Sequence, residues 1–469
     1  MVSEDVLERL GDRSGQTAAL RRMAELCAEL DDPTCTVTTL LGESRRAFEA
    51  SDYGVAVDLA VRASGLARDS GLPERVAEGH LWAGKALTWH GRGAEAREQL
   101  DTALTLARAQ DRTPVVAETL RYLAMLASNE GRFDEALERG LAARAEFVKD
   151  GDVEAENTAL AQHAVTLFNL GRVEESRDLF EQVLPVFAAS GHLYRQAIVL
   201  GNLASSAFLL GDLSAAERWC RQALERTDTL EDAEGGATNR TVLGLIELWT
   251  GRWSAARPHL ESSWRTGLEV EADIVALDAA TWLGLGMLEY GEPLDVVVAH
   301  TRSVAADAGV DTVGPQHAGQ AQLAHAYALA ATGDTEQLDG ADAAASRAAD
   351  ILTGSGVDAA VPQCAVLRLS IARARGLDPA EAAMRAAALV DRLDRQAVAV
   401  SVRPPTVLAD LWEALAAGGA EHDGARRRLR DTARAFVHRR MAGAEETETR
   451  AGFLGVHSVA RLVRLLDAS

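Results

Sequence analysis

Leu123-Ala124-Met125-Leu126-Ala127-Ser128-Asn129-Glu130-Gly131-Arg132-Phe133-Asp134-Glu135-Ala136 is the stretch that decides the fold. Apolar residues at helical spacing run up to Gly131 and resume after it. A glycine closes a helix because it enters the left-handed region without a Cβ penalty. Asp134 and Glu135 then suit the positive end of a new helix. The same junction recurs at Gly11-Asp12, Gly91-Arg92, Gly171-Arg172, Gly211-Asp212, Gly251-Arg252 and Gly291-Glu292, a strict 40-residue period in which Ser51-Asp52 fills the missing place. Beyond it the spacing loosens to 42 or 43, through Gly333, Gly376 and Gly418-Gly419.

Other positions keep this register. Seven residues before each marker stand Ser44, Gly84, Ala124, Ala164, Ala204, Gly244 and Gly284. Five residues after it stand Ala56, Ala96, Ala136, Ser176, Ala216 and Ala256. Small side chains in fixed places let two helices approach closely, and β-type alternation is nearly absent. Each unit therefore reads helix, glycine turn, helix. Polar breaks between units are expected at 111–114, 189–191, 231–238, 309–316 and 353–362, with longer loops at 400–405 and 443–449.

The phrases Leu123-Ala124 to Gly131-Arg132-Phe133-Asp134-Glu135-Ala136 and Leu203-Ala204 to Gly211-Asp212-Leu213-Ser214-Ala215-Ala216 resemble the tetratricopeptide repeat. The usual period of that repeat is about 34, and the turn proline is mostly missing here. HEAT and armadillo repeats lie closer in period, but the glycine turn followed by alanine favours the tetratricopeptide reading. The resemblance implies an all-α fold, a right-handed α-α superhelix of about ten helical hairpins. The expected organisation is one solenoid over 1–469: a partial first repeat with leading helices in 1–50, regular repeats in 51–333, divergent repeats and a capping helix in 334–469.

Composition narrows the function. The 469-residue chain carries a net charge of −22, which repels nucleic acid and anionic membranes, so neither is expected as a partner. Lysine occurs only at Lys85 and Lys149. Cys27, Cys35, Cys220 and Cys364 show no CxxC pair, so no disulfide framework or zinc module is expected, and the cysteines read as small core side chains in a reducing cytoplasm. No signal peptide is visible in the acidic start, and the uncharged stretch 312–333 is broken by Gln, His and Gly.

Several motifs tempt and fail. Gly79 to Ala86 matches a P-loop except at its end, where Ala86 replaces the hydroxyl that would hold Mg²⁺, and no strand precedes it. Asp31-Asp32 before Pro33 reads as a solvated helix end. The histidines show no metal-ligand spacing, and His163 and His325 fall on equivalent apolar positions as core side chains. No GxSxG elbow occurs. No catalytic constellation is found, so the chain is not expected to be an enzyme or to carry a cofactor or metal. Trp253, Trp264 and Trp282 read as packing residues.

The resemblance also implies a binding groove lined by the first helix of each hairpin, at positions 13, 10, 6, 3 and 2 before the turn glycine. Carried onto this chain, those positions include Glu118 and, as the binding candidates, Lys85 and Trp89, then Arg121, Met125 and Asn129, then Phe168 and Asn169, then Phe208, then Leu248 and Trp249. The early part is polar and the later part apolar. A peptide or partner helix would set apolar anchors on the second part and a carboxylate on the first. The alternative is that the aromatic residues contact neighbouring repeats and the chain's own coil covers the apolar part.

The long repeat resembles the sensor arrays of bacterial STAND-type signalling ATPases. That implies a non-enzymatic, cytoplasmic, ligand-sensing or protein-binding region of a signalling or transcriptional regulator, with covalently linked ATPase and output modules. The chain begins as if inside a repeat, with Val6 to Asp12 reading as a helix end, and its close at Phe453 to Leu466 resembles the last helix of such arrays; an excised sensor portion is therefore expected. The alternative is a free-standing adaptor or peptide receptor.

Overall fold

The computed structural model describes residues 13–50, 52–354, 360–393, 398 and 401–468. The expected helix end at Val6 to Asp12, and Ser51, lie outside them. Among the described residues there are 23 α-helices and no strand. The chain is an all-α, tetratricopeptide-like stack of helical hairpins, and it divides into two compact units, Met1–Thr166 and Leu167–Ser469.

The first unit runs from α1 (Arg13–Leu30) and α2 (Pro33–Glu49) through α3 (Tyr53–Asp69), α4 (Pro73–Trp89), α5 (Gly93–Ala109), α6 (Thr113–Asn129) and α7 (Phe133–Asp150). The unit boundary falls inside α8 (Val153–Asn169). The second unit continues with α9 (Val173–Ala189), α10 (Leu193–Leu210), α11 (Leu213–Thr229), α12 (Ala233–Trp249), α13 (Trp253–Glu269), α14 (Asp273–Glu289) and α15 (Leu294–Asp307). Then come α16 (Val310–Ala331), α17 (Thr335–Gly354), α18 (Val361–Ala374), α19 (Pro379–Val390), α20 (Pro404–Ala416), α21 (Asp423–Ala442), α22 (Thr447–Gly455) and α23 (His457–Asp467).

The turns explain the regularity. At the Gly131 junction, the Gly131 amide donates to the Ser128 carbonyl at 3.1 Å and the Arg132 amide donates to the Ala127 carbonyl at 2.8 Å. Gly131 has φ 75°, the left-handed helix end that the sequence predicts. The turns between hairpins use the same device. Left-handed residues stand at Asp31, Gly71, Asp111, Gly151, Gly191, Glu231 and Glu271, midway between the glycine markers. The 40-residue period is thus two 20-residue halves, typically a 17-residue helix and a short turn. The turns at 111, 191 and 231 fall in expected breaks, whereas those at Gly71, Gly151 and Glu271 escaped the sequence reading. The expected break at 231–238 is shorter, since α12 already begins at Ala233, with Asp232 capping the Gly235 amide at 2.9 Å. The break at 309–316 survives as a kink at Gly314. Gly418 is not left-handed; a 3₁₀ turn, Ala420–His422, follows it.

Small residues bring the helices together. A Cβ on Gly84 would lie 2.6 Å from Leu100 Cγ, so α4 and α5 need a glycine there. The P-loop-like stretch is therefore a packed segment of α4. The first unit's core joins Ala96, Leu100, Ala103, Leu120, Leu123 and Phe147. In the second unit a large core joins Phe208, Cys220, Ile246 and Trp249 to Phe436, Phe453, Val459 and Leu462. Trp253 is half-buried against this core and stacks on Tyr290 at 5.4 Å, and Trp264 is half-buried against a further cluster that contains Leu260 and Leu283. His325 is buried, with Nδ1 3.1 Å from Thr301 Oγ1, and burial, with Arg302 and Arg347 behind it, pushes its pKa down to about 4. Asp32 caps α2, its carboxylate accepting the Thr34 amide at 2.9 Å. No helix among the described residues is long and apolar enough to cross a membrane.

One expectation is corrected. Cys27 and Cys35 form a disulfide, with their Cα atoms 5.4 Å apart. The Asp31-Asp32-Pro33 turn folds the start of α2 back on the end of α1, so a spacing of eight residues in sequence becomes bonding distance in space. Cys220 and Cys364 are free and buried; burial pushes both thiols up to about 12.

Candidate functional site

The first helices of the hairpins in the first unit hold between them a compact cluster of charge and aromatic rings, in which Lys85 and Tyr122 are buried and Arg121 and Trp82 partly exposed. Lys85 on α4 lies 3.2 Å from Glu118 on α6, across 33 residues of sequence. Glu118 also accepts two bonds from Arg121, at 2.7 and 2.8 Å. The Lys85 ammonium sits 3.8 Å from the Trp82 ring centre and 5.0 Å from that of Tyr122. The Arg121 guanidinium lies 4.4 Å from the Tyr122 ring centre. Burial alone would raise the Glu118 carboxyl, but Arg121 and then Lys85 outweigh it and hold it well below the usual carboxylate range. Burial also opposes the Arg121 charge, and Glu118 more than restores it. Two cations therefore share one carboxylate, leaving one net positive charge among rings. This surplus sits in a chain of net charge −22.

Next to this cluster the aromatic surface opens to solvent. Trp89 is 53% exposed and stacks on Tyr53 with ring centres 6.5 Å apart. Tyr53 in turn meets Phe48 edge-on, and Phe48 meets Trp82. Met125 is half-buried and Asn129 exposed on α6. The structure thus brings Lys85 and Arg121 together around Glu118, a residue outside the ten sequence candidates. Glu118 stands 13 residues before Gly131, so the register itself pointed to it. Tyr122 and Trp82, which cage the charges, had no signal beyond their spacing.

In the second unit Phe168 is half-buried and Asn169 exposed. Phe208, Leu248 and Trp249 are buried. Their cover is the chain's own C-terminal segment. Beside the Gly211 turn, Ser214 donates its amide to the Gly443 carbonyl at 3.0 Å, and Glu445 donates its amide to Ser214 Oγ at 2.9 Å. Arg440 lies 5.6 Å from the Phe208 ring centre and 4.4 Å from that of Phe436. It is buried with no carboxylate paired to it among the described residues, and burial, followed by Arg439, lowers its pKa to about 9. At the next turn Gly452 packs on Thr250 and Gly251, where a Cβ would overlap the Thr250 carbonyl oxygen. One hairpin further, Glu289 takes Arg403 at 2.6 Å and the Ser458 amide at 2.6 Å. Burial raises the Glu289 carboxyl, but Arg403 and the Ser458 bond outweigh it and hold it low. Three successive turns thus receive 443, 452 and 458 in order.

The tetratricopeptide repeat family model matches residues 155–229. No curated protein matches the sequence. Among solved structures, a Rap protein complexed with Competence and Sporulation Factor is similar at 14% identity and a TM-score of 0.56, over 86% of this chain and 99% of that one. The apo form of the quorum sensor NprR from B. thuringiensis is similar at 13% identity and a TM-score of 0.53, over 74% of this chain and 99% of that one. A STAND protein with a tetratricopeptide repeat sensor from Pyrococcus horikoshii reaches a TM-score of 0.48 at 12% identity, over 69% of this chain and 51% of that one. The first two likenesses are of fold.

Proposed function

We propose that this tetratricopeptide-repeat chain is a ligand-sensing, protein-interaction region of a bacterial signalling or transcriptional regulator, and that it captures a peptide or a partner's extended segment on the first-helix face of its first unit. The observation that carries this reading is the pairing of exposed Trp89 with the Lys85–Glu118–Arg121 cluster. An aromatic platform beside a net positive charge suits a peptide that offers an apolar anchor and a carboxylate. Lys85 and Arg121 bind the ligand carboxylate by sharing or exchanging Glu118. Met125 and Asn129 flank the path. The likeness of fold to a quorum sensor and to a Rap protein complexed with Competence and Sporulation Factor is in keeping with a signalling role. The reading places the protein in the cytoplasm, without catalysis, cofactor or nucleic-acid contact. Linked ATPase and output modules would turn capture into a signal; a free-standing receptor would act through a separate partner.

The test is calorimetry with a peptide selected against the whole chain from a random library. Trp89→Ala and Arg121→Ala each weaken binding by about 2 kcal/mol while helical circular dichroism is kept. Unchanged affinity in both variants overturns the assignment.

A further inference from the structure

A second surface lies far along the sequence from Lys85, at the edge where α13, α14 and α15 meet the start of α16. There Trp264, Leu277, Val304 and Val313 floor a cleft of about 180 Å³. Leu268 stands at its rim, 59% exposed, and Val270 and Ile274 beside it in sequence are exposed as well. His300 lines one side, its ring edge-on to Trp264 at 5.4 Å and its Nε2 2.8 Å from the Ala280 carbonyl oxygen. These side chains form an apolar slot that no described part of the chain fills.

Charge tells what fits it. The exposed carboxylates of Asp273 and Asp307 line the cleft, and Glu269 and Glu271 follow Leu268 on the same edge. None of these four carboxylates accepts a hydrogen bond or joins an ion pair among the described residues, whereas many acidic side chains elsewhere, such as Glu217, Glu261 and Glu292, are held by arginines. No lysine or arginine lines the cleft among the described residues.

We infer that this cleft is a docking site for a basic amphipathic helix of a partner protein. One large apolar side chain of that helix enters between Trp264 and Val313 beneath Leu268. Its arginines or lysines meet Asp273, Asp307 and Glu271. Burial of the slot supplies affinity, and the unpaired carboxylates supply selection by charge and a dependence on salt. This surface is separate from the first-unit face, so the two proposals stand or fall apart.

The probe is a short fluorescein-labelled synthetic helix with leucine and tryptophan on one face and arginine on the other, titrated against the whole chain by anisotropy. Saturable binding that weakens with added salt is expected. Leu268→Arg lowers affinity roughly tenfold or more, a loss of about 1.4 kcal/mol. Asp273→Asn with Asp307→Asn weakens binding and flattens its salt dependence. Trp89→Ala leaves it unchanged. All four substituted positions are exposed, so the fold is kept, which circular dichroism checks. Four results overturn the proposal: no saturable binding; equal binding by a helix with glutamate in place of arginine; loss with Trp89→Ala equal to that with Leu268→Arg; or sedimentation showing a dimer that Leu268→Arg dissociates, which would make the occupant a second copy.

Discussion

The position two residues before each turn glycine has two fates. In the first unit it holds Trp89, 53% exposed, and Asn129, also exposed. In the second unit Asn169 is still exposed, but further on the position holds Trp249, 5% exposed, and Glu289, equally buried. The backbone setting is the same, a helix end followed by a left-handed glycine. What differs is the cover: α21 to α23 lie over the second unit's hairpins. A side chain's role in a repeat protein is thus set by what its face meets, and the repeat register alone does not reveal it. Identical register positions serve as an open platform in one region and as core in another.

The comparison breaks most sharply at the aromatic and ionic contacts under the C-terminal helices. Trp249→Ala is expected to cost about 3–5 kcal/mol of stability, as for a large buried aromatic, read by chemical denaturation. Arg403→Ala leaves Glu289 buried and unpaired and is expected to cost a similar 3–5 kcal/mol. The Glu289 carboxyl is held low in the fold, so its contribution is complete above the unfolded value of about 4.3 and is lost as pH falls through the folded value. Wild type should therefore lose stability in acid more steeply than Glu289→Gln, in urea titrations across that range.

Gly452→Val adds bulk against the Thr250 carbonyl and is expected to cost about 1–3 kcal/mol, with a change in tryptophan fluorescence as α22 lifts from Trp249. Trp89→Ala, at the open counterpart, should move stability by no more than about 0.5 kcal/mol while still weakening peptide binding. A loss as large as that of Trp249→Ala would erase the distinction between the two faces. The smallest effect concerns His317, whose Nδ1 lies 3.1 Å from Asp278. Burial lowers its pKa, but Asp278 outweighs burial and raises it. Its contribution is full below the unfolded value of about 6.5 and is lost as pH rises through the folded value. Asp278→Asn should remove this slight decline in melting temperature above neutrality.

Much of this was legible in the residues. The glycine markers announced the helix ends, and the small residues at fixed offsets announced close packing. The turns at Gly71, Gly151 and Glu271 went unread, because they lie off the register of the glycine markers and use no single residue type. The disulfide was hidden because Cys27 and Cys35 pair through a turn and match no spacing motif. At the candidate site, Lys85 and Arg121 were readable from register, but Glu118 became their shared partner only when α4 and α6 were packed side by side.

The apolar run through Phe208, Leu248 and Trp249 shows where reading by sequence ends. Its hydrophobicity demanded a partner, since a row of large apolar side chains is not left in water at no cost. Local sequence could not say whether that partner was another molecule or the chain itself. The answer lay more than 180 residues away, in Arg440, Gly452 and Ser458. Helix, turn and repeat depend on near neighbours and period, so the sequence by itself determined them. Which faces stay open depends on contacts between distant segments, and those only the tertiary structure decided.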